Sequence, residues 1–259
     1  EDADSNGDTA KRQALTSDQQ ARLAGSFNRL NYLPPESEWS DVALDPALAC
    51  TELQADYAAL KPPVVVIDNF LTDAALTALR SFCLEATIWF DCKEHGGYLG
   101  AYLNEGFDNQ VLFALARDLK ERLPNIFEAH RLAQMWAFKY GAEGSGTRLH
   151  ADKAAVNLNF WITPDEACAD DNGGGLRLYD IAAPPEWHFE NYNHQETALR
   201  AEIVRQGGTA KDIPYKCNRA VIFDSSLIHE TISYRFNDGY ENRRINVTML
   251  FGERSEIEG

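Results

Sequence analysis

The segment TRLHADKAAVNLNFWIT, residues 147–163, decides the fold class of this chain. Its first part places His150 and Asp152 two positions apart, and its second part, residues 156–163, has the apolar character of a buried strand. In an extended strand, residues i and i+2 point to the same side, so His150 and Asp152 can present an imidazole and a carboxylate to one point in space. The segment therefore predicts a β structure that carries a metal-binding pair.

More strands are expected on both sides of this segment. Short apolar runs between clusters of Gly, Asn, Asp and Pro lie at residues 64–67, 134–139, 156–162, 175–179, 220–223 and 245–251. Regular short strands with such turn residues between them favour a β-sandwich or an open barrel.

Three helices are predicted before the strand-rich part. Ser17 and Asp18 offer an N-cap for a helix over residues 19–30, and Thr72 precedes apolar residues at helical spacing. The third helix is expected over residues 109–122, before a proline that stops it. We expect these helices to brace one face of the sheet.

Composition divides the chain into three parts. Residues 1–16 are polar and acidic, which predicts a disordered tail. Residues 17–61 are expected to form an N-terminal helical and irregular extension, and residues 62–259 one β-rich domain. Within that domain, residues 184–216 are mixed in character and rich in charge. We expect them to form an insertion over one mouth of the barrel, as a lid.

Charge and hydropathy exclude several partners. Forty acidic against twenty-four basic residues give a net charge of −16, so nucleic acid is not expected as a partner. No apolar stretch is long enough to span a membrane, and no signal peptide is visible.

Five scattered cysteines without a C-x-x-C pair predict reduced thiols and a cytoplasmic location. The chain does not begin with Met, so a neighbouring domain is expected to be missing from it.

A second histidine, His229, completes a candidate metal site. It lies in SLIHET, residues 226–231, and two histidines with one carboxylate on one face of a metal leave the open positions that suit ferrous iron activating oxygen. An H-x-D tripeptide is common by chance, so its context carries the argument. The motif is followed in order by NGGGLRLY (172–179), VIFD (221–224), His229 and RRINVTMLF (243–251).

This ordered series resembles the iron(II)/2-oxoglutarate oxygenase superfamily, most closely its prolyl 4-hydroxylase-like branch, over residues 62–253. The resemblance implies a mainly β fold with flanking helices around a double-stranded β-helix (jelly-roll or cupin-like) core. It implies catalytic iron(II) held by His150, Asp152 and His229, with 2-oxoglutarate and O2 as cosubstrates and ascorbate as a stimulant. The implied reaction hydroxylates a C–H bond of a peptide or small-molecule substrate and releases succinate and CO2.

The resemblance also implies a basic residue that pairs with the far carboxylate of 2-oxoglutarate. Arg243 and Arg244 are adjacent and point to opposite faces of a regular strand, so only one can face the pocket. Arg244 fits the alternation that follows it better, but the segment between His229 and Arg244 is longer than the family pattern, which leaves Arg243 open.

Three further residues are implied to lie near the cosubstrate. Asn159 and Trp161 share one face of the strand after the metal motif, and Tyr140 precedes that motif. The alternatives are an exposed polar face for the first two and a core or turn position for Tyr140.

Two other functions remain open. A cupin-like metalloenzyme that does not use 2-oxoglutarate would not require Arg244, and a catalytically silent binding module of the same fold would require no metal. The glycines at 173–175 lack the features of a phosphate-binding loop and predict a turn into a strand. No motif identifies the substrate, since fold-level resemblance does not name one.

Overall fold

A seven-stranded antiparallel sheet forms the centre of the molecule. It is seen in a computed structural model that describes residues 14–23, 25–27, 29–35, 39–93, 97–170 and 172–254. The strands are β1 (Val64–Ile67), β2 (Asp91–Lys93), β3 (Tyr98–Tyr102), β4 (Leu132–Tyr140), β5 (Glu143–Gly144), β6 (Val156–Trp161), β7 (Leu176–Ala182), β8 (Ala210–Ile213), β9 (Ala220–Asp224), β10 (Leu227–Thr231), β11 (Tyr234–Arg235) and β12 (Ile245–Phe251).

The strands form one large sheet and two small ones. The large sheet has the order β1-β9-β6-β12-β4-β3-β2, and a second sheet has the order β10-β7-β8. Strands β11 and β5 form a separate pair. All of the registered pairs are antiparallel. The expected mainly β architecture is confirmed.

Strand β12 lies between β6 and β4, and all of its residues are buried. Because side chains alternate along a strand, Val247 and Met249 face the apolar core, while Asn246 and Thr248 face the opposite side. Thr248 is paired with Asn159 on β6 and with Trp136 on β4. The polar face of the large sheet is therefore the face that carries the candidate site.

Some of the helices cover the apolar face of the large sheet. The helices are α1 (Ser17–Leu23), α2 (Cys50–Ala59), α3 (Asp73–Glu85), α4 (Gln110–Arg122), α5 (Pro124–Phe127), α6 (Phe189–His194) and α7 (Glu196–Gln206). Thr72 and Asn109 accept hydrogen bonds from the backbone N–H groups of Ala75 and Val111, so α3 and α4 begin where the sequence predicts. Buried residues of both helices join the core formed by β1, β6, β9 and β12, as expected for bracing helices.

The segment 184–216 is more regular than the sequence indicates. It contains α6, α7 and β8, and β8 extends the second sheet. Tyr192 and Leu199 from these helices pack with Leu149 and Ile228, which flank two of the predicted metal ligands. This segment is therefore anchored beside the candidate site.

Several elements differ from the sequence predictions. The helix predicted over residues 19–30 ends at Leu23, because residues 25–27 form a turn. The short strands β2 and β3 and the helix α2 were not predicted, since their patterns are brief and α2 has no buried residue. All five cysteines are free thiols, as predicted.

The division into tail, extension and domain stays a prediction, and residues 1–13 of the predicted tail lie outside the described residues. Over the described part of the chain, no helix combines the length and the apolar character needed to cross a membrane. The cytoplasmic location also stays a prediction.

Candidate active site

The three predicted metal ligands lie together between the two larger sheets. One ligand atom from each of His150, Asp152 and His229 can be chosen so that all three lie within 4.8 Å of one another. The Nε2 atom of His150 is 3.8 Å from Asp152 Oδ1, and that of His229 is 3.5 Å from Asp152 Oδ2. Two imidazoles and one carboxylate thus converge on one point.

Backbone pairing places the two histidines side by side. His150 and His229 form an isolated antiparallel bridge, in which each backbone N–H donates to the other's carbonyl at 2.9 and 2.8 Å. Directly opposed residues of an antiparallel pair project to the same side, and the ring centroids here are 4.3 Å apart. Asp152 is fixed nearby because its N–H donates to the Ser225 carbonyl.

Hydrogen bonds set the tautomer of both imidazoles. The Nδ1 atom of His150 lies 2.6 Å from the Arg148 carbonyl, and that of His229 lies 2.8 Å from the Leu227 carbonyl. A carbonyl only accepts, so Nδ1 carries the proton in each ring and Nε2 keeps its lone pair. Such an arrangement is typical of histidines that bind a metal through Nε2.

The electrostatics of the site favour the ligand forms of these groups. Burial and the neighbouring His229 lower the pKa of His150 to about 4, so this ring stays neutral near pH 7. Burial raises the pKa of the Asp152 carboxyl, but His229, His150 and the Asn157 amide outweigh burial and hold it below its usual range. A neutral imidazole beside an ionised carboxylate is the protonation state that metal binding needs.

A chain of buried amides supports Asp152. The Asn157 amide nitrogen donates to Asp152 Oδ2 at 2.6 Å, and the Asn159 amide nitrogen donates to the Asn157 amide oxygen at 2.5 Å. Asn246 and Thr248 on β12 then donate to the Asn159 amide oxygen at 3.0 and 2.9 Å. The network runs from the metal ligand across two strands. Sequence reasoning missed Asn157, Asn246 and Thr248, although each of the two strands carries its pair of polar residues at i and i+2.

Arg244, and not Arg243, points into the site. Its side chain is buried, its Nε donates to the Gly174 carbonyl at 2.6 Å, and its guanidinium lies 4.5 Å from the centre of the Tyr140 ring. Its Nη1 is buried and has no hydrogen-bond partner among the described residues. A buried guanidinium with an unpaired donor fits an anionic ligand.

A cavity connects Arg244 to the triad. Its empty space, counted to include the opening to solvent, is about 340 Å³. Its lining includes Tyr140 and Asn159, and their contact with a cosubstrate stays a prediction. Trp161 is fully buried behind Arg244, with its ring 5.9 Å from the guanidinium carbon, and is not part of this lining.

Comparisons with known proteins identify the fold. No family model and no curated protein sequence matches the chain. In structure it is similar to a non-haem alpha-ketoglutarate-dependent carbocyclase, SnoK, from nogalamycin biosynthesis, at 12% identity and a TM-score of 0.55 over 84% of this chain and 90% of that one. The epimerase SnoN from nogalamycin biosynthesis aligns at 13% identity and a TM-score of 0.54, over 81% and 84% of the two chains.

A prolyl hydroxylase from Trichoplax adhaerens, in complex with a hypoxia inducible factor peptide, aligns at 12% identity and a TM-score of 0.51, over 79% of this chain and 89% of that one. The chain has the fold of the iron(II)/2-oxoglutarate oxygenases. At these identities the likeness is one of fold, and it confirms the predicted double-stranded β-helix.

Within this oxygenase fold, all of the predicted site residues except Trp161 line one cavity. They are His150, Asp152, His229, Arg244, Tyr140 and Asn159. The geometry therefore offers a metal three ligands and offers an anion one guanidinium within the same cavity.

Proposed function

We propose that this protein is an iron(II)/2-oxoglutarate-dependent dioxygenase that hydroxylates a C–H bond of a small-molecule or peptide substrate. The observation that carries the proposal is the buried, unpaired Nη1 of Arg244 in the same cavity as the triad. A dicarboxylate has one end for the metal and another for the guanidinium, so the donor set fits 2-oxoglutarate and iron(II) together.

Each residue has a defined part in this proposal. His150, Asp152 and His229 would hold iron(II) through two Nε2 atoms and a carboxylate oxygen. Arg244 would bind the far carboxylate of 2-oxoglutarate, while Tyr140, whose ring stacks on the guanidinium, keeps it in place. Asn157 orients the Asp152 carboxylate through its hydrogen bond. When bound, iron(II) with 2-oxoglutarate and O2 supplies the oxidising power: R–H, 2-oxoglutarate and O2 give R–OH, succinate and CO2.

The protein's remaining contribution is to position the reactants and exclude water. The triad is mostly buried, with Asp152 and His229 less than a tenth exposed, while His150 lies at the edge where the site opens. A substrate would therefore approach from the His150 side. The identity of the substrate and the position it is oxidised at depend on the residues outside the cavity.

The two other candidate functions account for fewer of these observations. A cupin-like enzyme that does not use 2-oxoglutarate leaves the buried Arg244 without a purpose. A silent binding module leaves unexplained why both imidazoles are held in the tautomer that binds metal.

The test is succinate formation by anaerobically iron-loaded protein supplied with 2-oxoglutarate, O2 and ascorbate. Many oxygenases of this kind turn over slowly without their substrate, so we expect succinate that requires iron and is abolished in His150→Ala. The Arg244→Gln variant should bind 2-oxoglutarate with an affinity roughly tenfold or more below that of the wild-type protein, as expected for the loss of a charge-assisted hydrogen bond in a buried site. The neighbouring Arg243→Gln variant should keep the wild-type affinity.

The possible outcomes separate the candidate functions. Iron binding without 2-oxoglutarate binding or succinate would favour the cupin-like enzyme. Absence of iron binding in calorimetric titration would favour the silent module. Equal losses of 2-oxoglutarate affinity in the two arginine variants would contradict the assignment of Arg244.

A further inference from the structure

The triad opens onto a wider cleft outside the cavity. The cleft and the cavity share several lining residues, so the cleft leads directly to the proposed metal site. The shared residues are Trp136, Phe138, Thr147, His150 and Asp152. The walls of the cleft come from β3, β4, the segment before Asp152 and the helix α6. If the proposed function is right, this cleft is where the substrate binds.

One wall of the cleft is aromatic. Alternation along β3 and β4 places Tyr98 and Tyr102 on the same face as Trp136 and Phe138. The Tyr98 and Phe138 rings are 4.7 Å apart, and Trp136 and Phe138 are 6.1 Å apart. All four side chains are only partly buried, so the cleft offers an aromatic surface in contact with solvent, with its rings tilted against one another. Phe189 on α6 also lines the cleft and is 37% exposed.

The charged side chains that line the cleft are mostly basic. They are Lys93, Arg148 and Lys153, against the carboxylate of Asp152, and the imidazoles of His150 and His194 lie beside them. Among the described lining residues, the one carboxylate is that of Asp152, which would bind the proposed metal. In a chain with a net charge of −16, this local excess of positive charge is unusual and would attract anions to the cleft.

Arg148 is the basic residue best placed to bind a ligand. Lys93 forms an ion pair with Asp91, and His194 lies 3.8 Å from Glu190. For the exposed Arg148 guanidinium, the described part of the chain provides no ion pair and no hydrogen bond. Its backbone is nevertheless fixed, because its carbonyl accepts the His150 Nδ1–H.

The Arg148 side chain also acts on the aromatic wall. Burial raises the pKa of the Tyr98 phenol, and the positive charge of Arg148 opposes that rise. Arg148 lines the same cleft as Tyr98 and lies two residues before the proposed metal ligand His150. A guanidinium in this position can bind a carboxylate or a phosphate through two parallel hydrogen bonds.

We propose that the substrate is a small molecule with an apolar ring system and an anionic group, a carboxylate or a phosphate. The ring system lies on the wall formed by Tyr98, Tyr102, Trp136 and Phe138, and the anionic group pairs with Arg148. This inference rests on the proposed function and assigns the substrate class of the same site.

The test uses three naphthalene probes: the anions naphthoate and naphthyl phosphate, and the neutral naphthamide, which has nearly the shape of naphthoate. They are titrated calorimetrically into nickel-loaded protein with saturating 2-oxoglutarate, so that Arg244 is already occupied. We expect the better of the two anions to bind the wild-type protein about tenfold more tightly than naphthamide, as for a charge-assisted hydrogen bond. The preferred anion then identifies the carboxylate or the phosphate as the group recognised.

Two variants assign the preference to a residue. Arg148→Gln should bind the anions and the amide with similar affinity, and because Arg148 is exposed, this variant is expected to fold. The matched control Arg131→Gln removes an arginine from an exposed ion pair outside the cleft lining and should keep the wild-type preference. Equal affinity of wild-type protein for the anions and the amide, or an unchanged preference in Arg148→Gln, would overturn the inference.

Failure of this inference can be distinguished from failure of the proposed function. Wild-type protein and the Arg131→Gln control are assayed for 2-oxoglutarate binding and for succinate formation without substrate, and both should be equal in the two proteins. If 2-oxoglutarate does not bind, the proposed function fails, and the probe titration repeated with nickel alone still decides the charge preference of the cleft.

Discussion

Asn157 shows how a residue that touches no ligand can govern the metal centre. It is fully buried, and its amide connects the Asp152 carboxylate to Asn159 and so to β12. Because the Asn157 amide holds one oxygen of the Asp152 carboxylate, the other oxygen points in a fixed direction. This favours a single geometry for metal binding by Asp152. Hydrogen-bond partners of metal ligands commonly affect metal affinity for this reason.

The Asn157→Ala variant should bind divalent metal about 10- to 100-fold more weakly, because Asp152 loses its orienting hydrogen bond. Calorimetric titration with Ni²⁺ measures this. The control is Asn218→Gly, which removes another buried amide, bonded to Leu71, while keeping a residue that accepts the positive φ of 59°. Equal loss of metal affinity in the two variants would show that general destabilisation, and not orientation of Asp152, is responsible.

Lys139 makes the stability of the protein depend on pH. Its side chain is buried against the rings of Trp89 and Tyr240, and burial lowers its pKa to about 8. The unfolded chain keeps the Lys139 proton to about pH 10.4, so between pH 8 and that value it binds more protons than the folded chain does. The contribution of Lys139 to the free energy of unfolding should therefore rise with pH across this window.

The Lys139→Met variant isolates this effect, because other titrating groups cancel in the difference between the two proteins. Relative to the variant, wild-type protein should gain up to about 3 kcal/mol from pH 7.5 to pH 10.5, as expected for a pKa lowered by two to three units. Urea denaturation at several pH values measures the difference. A difference that does not change with pH would mean that the rings keep Lys139 protonated.

At the scale of elements, the segment between β5 and His150 is held tightly against β10. The hydroxyl oxygens of Thr147 and Thr231 are 2.6 Å apart, and a Cβ added to Gly146 would lie 2.5 Å from Thr231 Cβ. Gly146 has a φ of +70°, which an L side chain rarely adopts. This close approach aligns the His150 backbone with that of His229.

The Gly146→Ala variant should lose stability through both the steric overlap and the positive φ. The matched control is Gly207→Ala, whose φ is +67° and whose added Cβ meets nothing within 4 Å. Backbone strain alone costs roughly 1 to 2 kcal/mol, and we expect Gly146→Ala to lose about 1 to 3 kcal/mol more than the control, as for overpacking. Urea denaturation compares them, and equal losses would mean that the segment can move away from β10.

At the scale of the whole molecule, ligand binding should appear as thermal stability. The proposed site joins β10 of the second sheet to β6 and β12 of the large sheet, so a bound metal and 2-oxoglutarate would connect the two. A ligand at about one hundred times its Kd stabilises the folded state by about 2.7 kcal/mol.

For a chain of this length, that free energy corresponds to a rise in Tm of about 5 to 10 °C. Differential scanning fluorimetry with Ni²⁺ and 2-oxoglutarate should show the rise in wild-type protein and not in His150→Ala. The same rise in that variant would place the binding elsewhere.

The sequence predicted the strands best where the apolar run was continuous. Strands β1 and β12 have the predicted bounds, and β4, β6, β7 and β9 differ from prediction by a few residues at their ends. The strands β2 and β3 were missed because their residues, DCK and YLGAY, contain no continuous β-branched run like that of β1. Strand β10 was missed although it carries His229, because its apolar and polar residues do not alternate cleanly.

The sequence by itself determined the ligand types and their order along the chain, because H-x-D fixes the spacing of two groups through local backbone geometry. It also determined the two candidate arginines. Only the tertiary structure decided that Arg244 faces the cavity, that Trp161 lies behind it and that Asn157 holds Asp152. These facts depend on which strands pair and in what register, and contacts between residues distant in sequence leave no local pattern from which to read them.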